Sequence, residues 1–335
     1  MFNKIYDKIK KFLKENILYI GILVFVYTVC NIELPYYIDA PGSVIDVSER
    51  IQIENSYEST GNMYMASVTE IKGIIPTLLW ALVDNKMDIV KKEEKLYNNE
   101  TYEEANIRNH IMLDDSTNNA KVVAFSHAGK DYKISNAKLY VVYIMENAET
   151  ELKIGDEVIS INGKKVNKVD DIKEVVKNTE VGESISIVVK RDDKEITTTS
   201  KVYLEDNQKY IGVSSLLDYT VETAPEVKFT FEKSESGPSG GLMLSLAIYN
   251  SLVEEDITKG RTIVGTGTID MDGNVGAIGG IKYKLAAAVK AKADLFLVPK
   301  DNYEEATAII EEYNYDIELV EVSTFKEALD KLNRS

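Results

Sequence analysis

The sequence predicts an α+β multidomain chain: an N-terminal transmembrane helix, a mixed α/β middle region, a β-rich module and a C-terminal α/β domain. Three observations predict it. A charge-free run, Ile17 to Cys30, follows a lysine-rich start. Short β-branched runs with turn signals, among them Asn162-Gly163, fill the segment 138–203. A glycine–serine turn around Ser239 precedes an apolar helical segment, and a second glycine-led helix starts after Gly280. The 335 residues are enough for two or three domains of roughly 100–150 residues each.

Composition narrows the function classes. The hydrophobic fraction of 44% suits a folded chain. A net charge of -16 argues against nucleic-acid binding, which needs a basic face to displace counterions. The single cysteine, Cys30, excludes a disulfide within the chain and a multi-cysteine metal site. His110 and His127 are the only histidines, and no His-Glu-x-x-His string occurs, so a zinc peptidase of that kind is not expected. No metal or cofactor is expected.

The N-terminus reads as a membrane element. Residues 1–16 carry Lys4, Lys8, Lys10, Lys11 and Lys14 against Asp7 and Glu15. The apolar run that follows is short beside the ~20 residues of a spanning helix, but Phe12 and Leu13 on one side and Leu34 to Tyr37 on the other extend it. Tyr36 and Tyr37 suit a lipid–water boundary. The favoured reading is a signal anchor over 17–34. A cleaved signal peptide and a buried core helix stand beside it. The lysines place residues 1–16 in the cytoplasm and the rest outside a bacterial membrane, by the positive-inside rule.

Residues 38–137 carry little chemistry. Ile71 to Val83, with the only tryptophan, Trp80, reads as a buried helix. Glu103, Glu104, Asn106 and Arg108 suggest an exposed helix. The paired acids Glu93–Glu94 and Asp114–Asp115 read as solvated faces rather than metal ligands. Val122 to Phe125 and Lys138 to Ile144 read as strands.

Residues 138–203 have a recognisable order. Leu139 to Ile144 forms a strand. Gly155-Asp156 makes a turn, and Val158 to Ile161 a short buried strand. Asn162-Gly163 signals a hairpin. Val169 to Lys177 reads as an amphipathic helix and Ser184 to Arg191 as a strand. Leu152-Lys-x-Gly-Asp-x-Val-Ile-x-Ile-Asn-Gly163 resembles the bacterial protease type of PDZ domain. The resemblance implies a β-sandwich in which a peptide adds as a strand beside the first strand and the helix. Ser135-Asn-Ala137 stands where a glycine-rich carboxylate loop is expected, so capture of a peptide C-terminus is in doubt. A module that only packs against its neighbour is the alternative.

The C-terminal part carries the chemistry. Val227 to Phe231 alternates as a strand, then come Gly237-Pro-Ser239-Gly-Gly and an apolar helix, Leu242 to Val253. Amide groups at such a helix start can hold a developing oxyanion; Gly237 and Gly240 are the candidates for that role and for close approach of a substrate backbone. The ordinary alternative is a serine that caps a helix. Farther on, Arg261 to Ile269 reads as a strand, Asp270 to Asn274 as a turn, and Gly279-Gly-Ile-Lys282-Tyr-Lys284 opens a helix. Ala293 to Pro299 is a further strand.

Gly-Pro-Ser-x-Gly, then Thr-Gly-Thr-Ile, then Val-Gly-x-Ile-Gly-Gly-Ile-x-x-Lys is similar to the proteolytic domain of Lon over residues 222–333. The whole chain resembles the Lon-like PDZ proteases of Gram-positive bacterial membranes. The resemblance implies a ribosomal-protein-S5-domain-2-like fold and a serine endopeptidase. It makes Ser239 the nucleophile, Lys284 rather than Lys282 the catalytic lysine, and Thr266 the residue that orients the dyad. A lysine serves as a base only when neutral, which near neutrality needs its pKa lowered by roughly 3 units, about 4 kcal/mol. Burial and the positive end of a helix both act in that direction. The chain departs from the family pattern at Ser236, where an acid is common, and at Gly240, where alanine is common.

No Gly-x4-Gly-Lys-[Ser/Thr] string is present, so the expected proteolysis is ATP-independent and directed at unfolded or flexible protein segments. Protein or peptide substrates and the membrane are the expected partners; ATP and nucleic acid are not. The Lon resemblance leaves a homo-oligomeric ring open. The competing reading is an inactive envelope scaffold that works through its PDZ-like part.

Overall fold

The computed structural model describes residues 2–334 and divides into two compact units. The first holds residues up to 41 together with 68–95; the second holds 42–67 together with 96–335.

The first unit begins with α1 (Phe2–Asn31). It is long and apolar enough to cross a membrane, and none of its apolar window is buried. That exposure sets aside a buried core helix. After α1 come β1 (Tyr36–Asp46), β2 (Asn62–Lys72), α2 (Ile75–Ala81) and β3 (Asp88–Lys91). Within this unit β3 pairs antiparallel with the start of β1, Tyr36 opposite Lys91. Lys95 bridges Asp39 and Glu70. The segment around Trp80 departs from the expected buried helix. Residues up to Lys72 are strand, and α2 with the turn after it leaves Leu79, Trp80, Leu82 and Val83 exposed.

The second unit contains α3 (Tyr102–His127), a helix opened by a reciprocal cap between Thr101 and Glu104. Val122 to Phe125 is the buried last part of this helix, not a strand. Its β-branched content is a weak local preference against a long capped helix with a packed face. Nor is α3 an exposed helix throughout: Arg108 is buried and pairs with Glu100 at 2.6 Å.

A six-stranded sheet follows, built from β4 (Tyr132–Ile144), β5 (Glu157–Ile161), β6 (Ser184–Arg191), β7 (Lys194–Lys201), β8 (Val213–Thr223) and a two-residue strand, Lys164–Lys165, that pairs with β5 off the main path, with α4 (Val169–Asn178) beside it. Its order is β8-β4-β5-β6-β7. The predicted hairpin is present, with Asn162 and Gly163 both at positive φ. Leu139, Val141, Leu152, Ile161, Ile172, Val176, Ile185 and Ile187 form its separate core. The sheet also takes in β8, which runs along β4 from Val213 opposite Ile144 to Thr223 opposite Tyr132. A strand has two edges, and β4 already has β8 and β5 on them. The expected peptide addition beside the first strand is therefore closed. Residues 135–137 lie within β4, so no carboxylate loop is built there.

The rest of the second unit is an α/β layer. β9 (Thr262–Gly265), β10 (Leu295–Pro299) and β11 (Glu318–Val322) are parallel, and β9 pairs on its other side with residues 62–65. Against them lie α5 (Gly241–Leu252) and α6 (Ile281–Lys290), followed by α7 (Tyr303–Tyr313) and α8 (Phe325–Arg334). Buried Phe296, Val264, Leu285 and Ala288 fill one side; Leu242, Met243, Leu246 and Phe325 fill the other.

Candidate active site

Ser239 stands two residues before α5, at the end of an irregular turn that runs from Glu232. α5 is apolar nearly all round, so it is buried, and its burial fixes the position of the turn that feeds it. The turn is tied down from three directions. The Gly237 amide donates to the carbonyl of Asn109 in α3 at 2.9 Å, and Ser116 Oγ of the same helix donates to the Pro238 carbonyl at 3.2 Å. Arg50 makes a bidentate pair with Glu235 at 2.8–3.0 Å. On the third side, Gly267 N donates to the Ser239 carbonyl at 2.8 Å, and Leu242 N to the Gly267 carbonyl at 3.1 Å.

Thr266 sits where the chain leaves β9. The predicted strand over 261–269 is broken here into β9 and a short extension at Thr268–Ile269. The break turns the Thr266 side chain inward, where it has no exposure. Its Oγ1 donates to the Ser239 carbonyl at 3.0 Å and accepts from Lys284 Nζ at 3.0 Å.

Lys284 reaches that hydroxyl from the first turn of α6, a helix entered through Gly280 in the left-handed conformation (φ 72°). The lysine is 3% exposed. Burial lowers its pKa to about 8, and no charged group is part of the cause. Lys282, two residues earlier, is half-exposed, with its Nζ 5.8 Å from the Tyr283 ring centre.

Thr266 thus links Lys284 to the backbone of Ser239. Among the described residues no hydrogen bond joins Ser239 Oγ to Lys284 Nζ; the two are connected through Thr266. Of the two glycines nominated for an oxyanion, Gly237 has its amide engaged by Asn109, whereas the amides of Ser239 and Gly240 have no acceptor among the described residues. Gly240 also leaves room for Met65: a Cβ there would stand 2.8 Å from Met65 Sδ.

Sequence reasoning missed Arg50, Glu235, Asn109 and Ser116. Arg50, Asn109 and Ser116 meet the serine turn across a long stretch of chain, and Glu235, within the turn, acts through the distant Arg50, so no local spacing marks any of them. Asp115, on α3, is half-buried, and its carboxyl is pushed up to about 6 by burial and then by the charge of Asp218. Among the described residues no three His, Cys, Asp or Glu side chains converge as metal ligands.

Residues 232–334 match the Lon protease (S16) C-terminal proteolytic domain. The chain carries a Lon-type proteolytic domain. This is a serine-peptidase family, and the match begins at the turn that holds Ser239 and ends with α8. Residues 113–202 match a PDZ domain, a match that starts inside α3 and ends after β7. Among curated proteins, Lon protease 2 of Borreliella burgdorferi is 31% identical over 36% of this chain and 15% of its own length. Lon protease of Campylobacter jejuni is 36% identical over 29% of this chain and 12% of its own length. Lon protease 2 of Bacillus subtilis is 33% identical over 29% and 16%. This chain thus spans only a small fraction of these relatives. Among solved structures, the PDZ domain of an SdrC-like protein from Listeria monocytogenes is 19% identical, with a TM-score of 0.23, over 25% of this chain and 93% of its own.

Proposed function

We propose that the Lon-type domain is an ATP-independent serine endopeptidase working through a Ser239–Lys284 dyad. The observation that carries this reading is the state of Lys284: a buried amine with no counter-charge, its pKa brought down to about 8, hydrogen-bonded to the same threonine that holds the Ser239 carbonyl. A structural lysine would be paired or would extend to solvent.

In the reaction, neutral Lys284 takes the Ser239 hydroxyl proton as Oγ attacks the scissile carbonyl carbon. Rotation of the Ser239 side chain toward the Nζ held by Thr266 brings the pair together. The oxyanion that forms is met by the free amides of Ser239 and Gly240. Lys284, now an ammonium, protonates the departing amine. It then takes a proton from the water that attacks the acyl-serine and returns it to Oγ as the ester bond breaks. Thr266 positions the lysine and the serine turn.

The absence of a P-loop string from this chain supports ATP independence, and with it flexible or unfolded protein segments as substrates. The long apolar α1 and its lysine-rich start support a single-pass anchor, with the N-terminus cytoplasmic and the catalytic domain outside. The PDZ domain serves substrate selection by a route other than strand addition beside β4.

The test is ATP-free incubation of the purified protein with unfolded casein. Cleavage by the parent protein and none by Ser239→Ala supports the reading; equal cleavage by both sinks it. An inactive scaffold predicts no cleavage by either.

A further inference from the structure

We propose that α2 and the turn after it, residues 75–83, form a second membrane contact that lies in the outer interface of the bilayer beside the end of α1. The inference rests on the reading of α1 as a membrane span.

The segment Ile74-Ile-Pro-Thr-Leu-Leu-Trp-Ala-Leu-Val83 has no charge, yet the fold leaves its largest side chains in the open. Trp80 is 52% exposed, Leu82 72% and Val83 82%. Contiguous exposed apolar side chains of this size mark a surface that is covered in use. The cover follows from where the segment is held. The residue just before it, Gly73, is hydrogen-bonded on both sides to the chain that leaves α1: Leu34 N donates to the Gly73 carbonyl at 2.7 Å, and Gly73 N donates to the Tyr36 carbonyl at 2.8 Å. A Cβ on Gly73 would lie 2.6 Å from the Tyr36 carbonyl oxygen, so the two segments run in close contact. α1 and α2 touch within the same compact unit. The apolar helix therefore starts at the level at which α1 ends.

That level is the membrane boundary. The charge-free run from Ile17 to Cys30 supplies about 21 Å of helix at 1.5 Å per residue, against a hydrocarbon core of about 30 Å. With Lys14 and Glu15 at its inner end, the core reaches past Asn31 to the Leu34–Gly73 junction. The charges there neutralise one another: Glu33 pairs with Lys72 at 2.7 Å. Of the sequence's two candidates for the interface, Tyr37 is buried in the protein and Tyr36 is half-buried, whereas Trp80 is exposed. An amphipathic aromatic at this depth, with leucine and valine beside it, is the composition of an interfacial segment. Such a contact would hold the first unit against the bilayer rather than leave it on a free tether.

Trp80 is the only tryptophan, so its emission tests the proposal directly. The full-length chain is reconstituted into phosphatidylcholine–phosphatidylglycerol vesicles, with unlabelled lipids or with lipids brominated near the glycerol end or near the chain end. Expected are flotation with the vesicles, a blue-shifted emission, and about twofold quenching by the shallow bromines with less by the deep ones. Leu82→Glu with Val83→Glu, both at open positions, should float equally and lose most of that quenching. Flotation with unquenched Trp80, or undiminished quenching in the double variant, overturns the contact while leaving α1 as an anchor. Quenching by acceptor-labelled casein but not by brominated lipid overturns it in favour of substrate docking. Failure of the full chain to float overturns the anchor, and the contact with it.

Discussion

Lys284 Nζ donates to Thr266 Oγ1 at 3.0 Å, and that hydroxyl donates onward to the carbonyl of Ser239 at the same distance. One buried threonine therefore sets both the direction of the amine and the position of the serine turn. Thr266→Val keeps the shape and removes both bonds. Each is worth about 1 kcal/mol, so kcat should fall about tenfold or more with little change in KM. Thr266→Ser should recover most of the rate. Steady-state rates on a fluorogenic peptide decide the matter; an unchanged kcat in Thr266→Val removes the positioning role.

The amine must be neutral to act. With its pKa near 8, kcat/KM should rise with pH and level off above about 8. A profile that falls across this range contradicts a lysine base.

The same burial affects stability. The folded-state pKa of Lys284 lies below its ordinary 10.5, so the unfolded chain binds the extra proton between the two values. Stability therefore rises with pH from about 8 to about 10.5, and the cost of burying the amine is fully present below 8. At neutral pH this cost is about 3 kcal/mol. Lys284→Met should abolish cleavage and raise Tm at pH 7, with the gain shrinking as pH approaches 10.5. Thermal melts across that range check it, and a lowered Tm at pH 7 counts against it.

Arg50 and Glu235 tether the start of the serine turn through a bidentate pair that is mostly shielded from solvent. Arg50→Ala and Glu235→Gln should each reduce kcat severalfold. A double-mutant cycle on Tm should give a coupling of about 1–2 kcal/mol; additive effects would show that the pair holds nothing in place.

At Gly240 the space for a Cβ is taken by the flexible end of Met65. Gly240→Ala alone should cost a few-fold in rate, and adding Met65→Ala should restore much of it. Equal rates in the single and double variants would break the link.

Local chemistry made much of this legible. The Asn162-Gly163 hairpin, the helix after Gly280 and the apolar helix after Ser239 follow from turn residues and periodicity, which act over a few residues. Lys284 could be separated from Lys282 through the resemblance; the buried side of α6 supplies an independent physical reason. Val122 to Phe125 misled because a short run with two valines and a phenylalanine looks alike in a strand and in a packed helix end; the Thr101–Glu104 cap was the available signal. Trp80 misled because an apolar run says that a surface is covered, not by what. Arg50, Asn109 and Ser116 were invisible because their partners lie far along the chain.

The most direct test of the dyad compares Lys284→Ala with Lys282→Ala for ATP-free peptide cleavage at pH 8.5, each checked for an unchanged fold by circular dichroism. Lys284→Ala should lose cleavage as completely as Ser239→Ala, while Lys282→Ala stays within a few-fold of the parent protein. Retained cleavage in a folded Lys284→Ala protein would contradict the account.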